Sequence, residues 1–240
     1  MNAPLKIAID PIPDTLSERE LIERTLRLDY SQIVELGCGK ADLTRLLASG
    51  GAGRSVVAFE VDDLQHAKNL ARTDLPNVRF ERAGAECVPL SDACADVVFM
   101  FKSLHHVPRP AMDQALREVA RLLKPGGKAW ISEPIFAGAF NDLLQLFHNE
   151  EQVRAAAFAA VARAVESGLL ALEQQIFFNA PLHFPDFTAF ERQVIGVTHT
   201  RHVLTPEVHA EVQRRFTAQA GPDGVRFAQP LRVDLLRKPA

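Results

Sequence analysis

IVELGCGKAD, residues 33–42, sets two glycines one residue apart directly after a short apolar run, with a lysine behind them. Such a loop is where a buried strand hands over to a helix in nucleotide-binding βαβ units, and three ligands compete for it. A phosphate cradle needs a glycine five residues before the Gly-Lys pair and a Ser or Thr after it. Val34 and Ala41 stand there instead, so the backbone nest and the magnesium-binding hydroxyl are both missing. The dinucleotide fingerprint G-x-G-x-x-G matches Gly37 and Gly39, but its third glycine falls on Asp42. Helix-to-strand packing wants no side chain at that position, and a pyrophosphate wants no negative charge, so Asp42 opposes an NAD-dependent oxidoreductase. What remains is a ligand with an adenosine part and no phosphates. Gly37 and Gly39 let the backbone approach it. Glu60, at the end of the next apolar run and 60 − 39 = 21 residues on, is spaced for the ribose hydroxyls. Glu35 is either a negative group for a cationic ligand or a cap for the loop amides.

Working outward, short apolar runs recur at 33–36, 55–61, 78–83, 96–101 and 128–134, separated by the helical stretches DLTRLLAS, DLQHAKNLAR and MDQALREVARLLK. Strands alternating with helices at this spacing predict right-handed crossovers and a parallel sheet covered on both faces. Before them, LSERELIERTLRL begins with Ser17 and Glu20 in capping-box register. After residue 135 the rhythm changes to a long Ala-rich helical block, then two further strand candidates, QQIFFNAPLHF and VRFAQPLRVDLLRK, with helical pieces between them. The expected architecture is one α/β domain over 1–240. It comprises an arm and helix (1–30), a ligand-binding core (31–135), a helical insert capping the site (136–175) and a completion of the sheet (176–240).

The formal net charge of −3 removes the basic excess that a nucleic-acid or acidic-membrane partner calls for. Apolar residues make up 47% of the chain, enough for a packed core. Cys38, Cys87 and Cys94 have no CxxC spacing and favour a reduced compartment over a disulfide framework or zinc site. The N-terminal acids and prolines interrupt any signal-peptide core, and no apolar run reaches a membrane span. A cytoplasmic protein with a small-molecule partner is therefore expected; oligomeric state is not written in the composition.

VELGCG, Glu60, AGAECVPL, ADVVFMFKSLHHV and REVARLLKPGGKAWISEP, in this order, resemble the class I S-adenosylmethionine-dependent methyltransferases, within the group that includes the ubiquinone and menaquinone biosynthesis enzymes. The resemblance covers about residues 30–135. It implies a doubly wound Rossmann-like sheet of seven strands, the last antiparallel, with a helical insert near the active site. It also implies S-adenosylmethionine as cofactor, a small-molecule acceptor and in-line methyl transfer. Retention of the fold for cofactor binding without transfer is the alternative. Carried over, Glu35, Gly37 and Gly39 surround the methionine portion, Glu60 holds the ribose and Val61 flanks the adenine, with Phe101 at the end of the fourth strand. The family's usual adenine-reading acid is Gly84 here, which passes that role to Glu86 or to the backbone at Ala85 and Glu86. Asp62 reads as a helix N-cap.

At the reacting end, His105 and His106 are candidate bases, with one of the pair expected to fix the loop instead. Lys102 is either an anchor for an acidic acceptor or a snorkelling surface side chain. Phe136 and Phe140 begin an aromatic block expected to border the acceptor. Phe177, Phe178, Phe184, Phe187 and Phe190 continue it, mostly as core. Two groupings, His199 with His202 and His148 with Glu150 and Glu151, lack a third ligand at motif spacing, so no metal is expected.

Overall fold

Buried strands form where the apolar runs lie: β1 Gln32–Leu36, β2 Ser55–Phe59, β3 Val78–Glu81, β4 Ala95–Phe101 and β5 Leu123–Pro134. The computed structural model describes residues 4–198, 200 and 202–240. Helices α1 Glu18–Thr25, α2 Asp42–Ser49, α3 Asp63–Leu70 and α4 Met112–Leu122 occupy the predicted helical stretches. Ser17 and Glu20 close the capping box at the start of α1, the Glu20 amide donating to Ser17 Oγ at 3.2 Å and the Ser17 amide to Glu20 Oε2 at 2.9 Å. Asp62 caps α3, accepting from the amides of Leu64 and Gln65.

The sheet runs β3-β2-β1-β4-β5-β8-β6, with β6 Ala171–Phe184 and β8 Gly224–Arg237. Strands β1 to β5 pair in parallel, and β8 runs antiparallel to both β5 and β6. An eighth strand, β7 Ala220–Gly221, only lengthens the turn into β8. The order reverses direction between β1 and β4, and their carboxyl ends form the crevice where an α/β sheet takes its ligand.

Side chains of successive strand residues go to opposite faces, and each face has its own core. Val34, Leu36, Val98 and Met100 pack with Leu116 and Val119 of α4 on one side. Ile33, Val97, Phe99 and Trp130 pack with Ile22 of α1 and Leu47 of α2 on the other. Each such aliphatic side chain contributes roughly 1.5–3 kcal/mol by leaving water. Trp130, fully buried, donates its indole N–H to Glu18 Oε1 at 3.1 Å and so seats α1 against the sheet.

The segment 136–175 packs into the core and also reaches the turn after β4, where Glu150 faces His105. It splits into α5 Ala139–Leu144 and α6 Glu151–Glu166. Ala157, Ala160, Val161 and Ala164 of α6 lie in the same core as α4, so α6 is the crossover between β5 and β6. Its alanines let it approach α4 closely, and small side chains leave little amphipathic signal to distinguish a packed crossover from a lid. The added helical layer comes later. α7 Phe187–Phe190, the π turn Glu191–Ile195 and α8 Pro206–Thr217 gather on the far ends of β6 and β8, where Phe140, Phe184, Phe190, Phe216 and Phe227 form a third core with α5. No described helix is long and apolar enough to cross a membrane.

Candidate active site

The loop between β1 and α2 holds its shape by left-handed backbone at Gly37 (φ 78°) and Gly39 (φ 51°). A Cβ on Gly37 would stand 2.7 Å from Cβ of Ser103, whose hydroxyl donates to the Leu36 carbonyl at 2.7 Å across the switch point. Around Gly39 the space is open, as a surface meant for a ligand must be. The amides of Gly37 and Cys38 donate to the Phe59 carbonyl, and Asn69 of α3 donates to the Gly39 carbonyl at 2.8 Å. Asn69 and Ser103 are fixing residues that local sequence does not announce, since each acts across a crossover.

Glu35 ends β1 with its side chain 1% exposed. Burial pushes its carboxyl up to about 8; nearby Thr44 and Lys102 pull it down, while Glu18 and Glu60 push it further up. Among the described residues, Thr44 is the one neighbour near enough to lower it by hydrogen bonding, and Glu35 Oε2 meets no donor at good hydrogen-bond geometry. A buried carboxyl with an orphaned oxygen suits a cationic ligand group and does not cap loop amides. Loop stitching falls to Glu60, whose carboxylate accepts from Gly39 at 2.7 Å and from Val61 and Asp62 at 2.9 Å each. Val61 is 59% exposed beside it, as a residue flanking a ligand ring must be. At Gly84 the carboxylate of Glu86 fills the space that a side chain would occupy.

Phe101 is buried and stacks on Phe99 with ring centroids 5.1 Å apart, so it packs the second core. Lys102 follows with φ 51° and turns its ammonium to Glu18 Oε2, 3.6 Å away. It stands on the Glu35 side of the crevice, held by α1. Phe140 joins the third core, stacked with Phe184, whereas Phe136 is half-buried with the Arg154 guanidinium 6.0 Å from its ring. Phe178, Phe184 and Phe190 are likewise core.

His105 and His106 lie on a single 3-10 turn after β4, their ring centroids 4.1 Å apart. His105 is 5% exposed, with Nδ1 donating to Glu133 Oε2 at 2.5 Å and Nε2 facing Glu150 Oε1 at 3.6 Å. Burial alone would lower its pKa, but Glu133 and then Glu150 outweigh burial and hold it at about 9. Protonated and clasped between Glu133 and Glu150, His105 fixes the loop, while His106 beside it is exposed. Glu133 also accepts from the Leu104 amide at 2.9 Å. Glu150 accepts from Arg154 at 2.6 Å and from His148 at 2.9 Å. His202 packs its edge against His148 and Phe147; His199 lies outside the described residues.

Residues 33–127 match the model of a methyltransferase domain. The methyltransferase GfsG of Streptomyces halstedii is 30% identical over 57% of this chain and 50% of its own length. The ubiquinone/menaquinone biosynthesis C-methyltransferase UbiE of Legionella pneumophila is 31% identical over 51% of this chain and 52% of its own. The chain thus spans about half the length of the curated relatives it matches. Among solved structures, the YcgJ protein of Bacillus subtilis superposes over 92% of this chain and 97% of its own, with a TM-score of 0.59 at 16% identity. The [4+2]-cyclase SpnF superposes over 92% of this chain and 80% of its own, with a TM-score of 0.55 at 20% identity. These likenesses show the fold, and the sequence match to a methyltransferase domain runs through the loop, the strands and the turn just described.

Proposed function

We propose that the protein transfers the methyl group of S-adenosylmethionine to a small-molecule acceptor by in-line displacement. The observation that carries this reading is the buried Glu35 carboxyl with its unpartnered oxygen, next to a glycine loop open at Gly39. Glu35 receives the ammonium of the cofactor's methionine portion. Glu60 holds the ribose hydroxyls, Val61 covers the adenine and Glu86 takes its amino group. Bound in that way, the cofactor supplies an electrophilic methyl on a sulfonium. The chain's remaining tasks are to align the acceptor behind that methyl, to exclude water and, where the acceptor requires it, to remove a proton. His106 performs the last, because His105 is already protonated and clasped.

Calorimetric titration with S-adenosylmethionine tests the first half, and no heat at millimolar ligand would refute it. Release of S-adenosylhomocysteine in the presence of candidate acceptors tests the second half and separates methyl transfer from cofactor binding alone.

A further inference from the structure

We propose that His105, His106 and Glu150 form a site for a divalent transition metal of the zinc class, with Glu133, His148 and Arg154 orienting the ligands. The ligand atoms of these three residues lie within 4.8 Å of one another, although they come from two separate elements: the turn after β4 and the start of α6. Two donors each about 2.0–2.2 Å from one ion, at tetrahedral to trigonal angles, are roughly 3.3–3.8 Å apart. His105 Nε2 and Glu150 Oε1 are 3.6 Å apart, long for a hydrogen bond and right for two ligands of one ion.

The surrounding contacts are those that metal ligands need. A ligating histidine donates its other ring N–H to a carboxylate, and His105 Nδ1 donates to Glu133. A ligating carboxylate is itself hydrogen-bonded, and Glu150 accepts from Arg154 on Oε2 and from His148 on Oε1. His106 is exposed, with a ring nitrogen within 4.8 Å of both other ligand atoms, and supplies the third ligand. On binding, the ion takes the place of the proton on His105 Nε2, which leaves to solvent.

Two histidines and one carboxylate leave a coordination position open, the arrangement of catalytic rather than structural zinc sites. The turn that carries both histidines follows the carboxyl end of β4, so the open position is placed to be reached from the crevice in this proposal. An oxygen of the acceptor, such as a hydroxyl, phenol or enol, would occupy it and lose its proton more readily under the pull of the ion, relieving His106 of that task. This last step rests on the methyltransferase reading; the metal site does not.

The test is titration of the full chain with Co²⁺, followed by visible d–d absorption, and with Zn²⁺, followed by calorimetry, in a Cys87→Ser background that removes the exposed thiol. One ion per chain is expected. Glu133→Gln should weaken binding about 10- to 100-fold. His106→Ala and Glu150→Gln should each weaken it by at least about tenfold, as loss of one of three ligands demands. His106 is exposed, so that variant keeps the test valid even where loss of Glu150 disturbs α6. Absence of d–d absorption and of zinc heat at millimolar ion, or equal binding by wild type and His106→Ala, would overturn the proposal and leave a protonated imidazole between two carboxylates. Titration of the same samples with S-adenosylmethionine keeps the two readings apart. Cofactor bound without metal sinks this proposal only, and metal bound without cofactor sinks the methyltransferase reading only.

Discussion

Replacement of Glu35 by glutamine should abolish a proton release that accompanies cofactor binding. With its carboxyl pushed up to about 8, Glu35 is protonated in about nine molecules of ten at pH 7. An ammonium meeting it favours the ionised form, so the proton leaves as the ligand arrives. About 0.9 proton should leave Glu35 per cofactor at pH 7, and the net release should shrink towards pH 8 and above, where less of Glu35 is protonated and the ligand's own amine begins to take up a proton on binding. Calorimetry in phosphate and in Tris reads this directly, because the difference in observed heat divided by the difference in buffer ionisation enthalpy is the number of protons. Affinity should climb from pH 6 to 7, by at most about 1.4 kcal/mol per pH unit, and fall again where the ligand's ammonium loses its proton. The free protein shows the opposite trend. A carboxyl whose folded value lies above its unfolded one contributes stability that is fully present below about pH 4.5 and lost as pH rises through about 8. Glu35→Gln should flatten both curves. Equal heats in the two buffers for the wild type, or the same proton release from Glu35→Gln, would refute the reasoning.

Three further outcomes follow from particular contacts. Gly37→Ala should cost more than Gly126→Ala: both have φ near 77°, worth about 1–2 kcal/mol, but only at Gly37 does the added carbon meet Ser103. Thermal unfolding should rank them so, and only Gly37→Ala should weaken cofactor binding, by about tenfold or more, through displacement of the loop after β4. Asp62→Ala removes the α3 cap at a cost of about 1 kcal/mol, or about 2–4 °C in Tm, and cofactor affinity should stay within about twofold. Lys102→Ala should move the pH of the proton release upward, because Lys102 pulls the Glu35 carboxyl down, and should leave the acceptor KM unchanged. A raised KM for an acidic acceptor would return Lys102 to the acceptor side.

The fold was legible because strands covered on both faces read as unbroken apolar runs, and their bounding turns were marked by glycine, proline and acids. Ser17 and Asp62 announced their helices by chemistry that acts within three residues. The positions of Glu35, Gly37, Gly39 and Glu60 on the strand ends and the loop were legible for a similar reason: such positions in a βαβ unit are set by local spacing. Legibility failed where the deciding contact is remote. Phe101 and Phe140 are aromatic whether they border a ligand or fill a core, and only packing against Phe99 or Phe184 separates the two. Burial of the His105 ring depends on Glu133, 133 − 105 = 28 residues on, and on Glu150, a further 150 − 133 = 17. No spacing rule written for one helix or one loop could join them.

That difference divides the crevice in two. The family match ends at residue 127, and every group proposed to hold the cofactor lies within it or at its edge. Glu133, His148, Glu150 and Arg154 lie beyond it, as do the helices of the third core. A cofactor common to many relatives can be held by short motifs with fixed spacing, because each motif needs only its own strand end. On the proposed reading, an acceptor would be met from the opposite side, by what the β5-to-β6 crossover and the ends of β6 and β8 bring to the crevice. His105 is the joint between these halves: it sits inside the matched region yet takes both of its carboxylate partners from outside it. Acceptor specificity should therefore change with substitutions at Glu150 and around Phe136 while cofactor affinity holds, and a change at Glu35 or Gly37 should do the reverse.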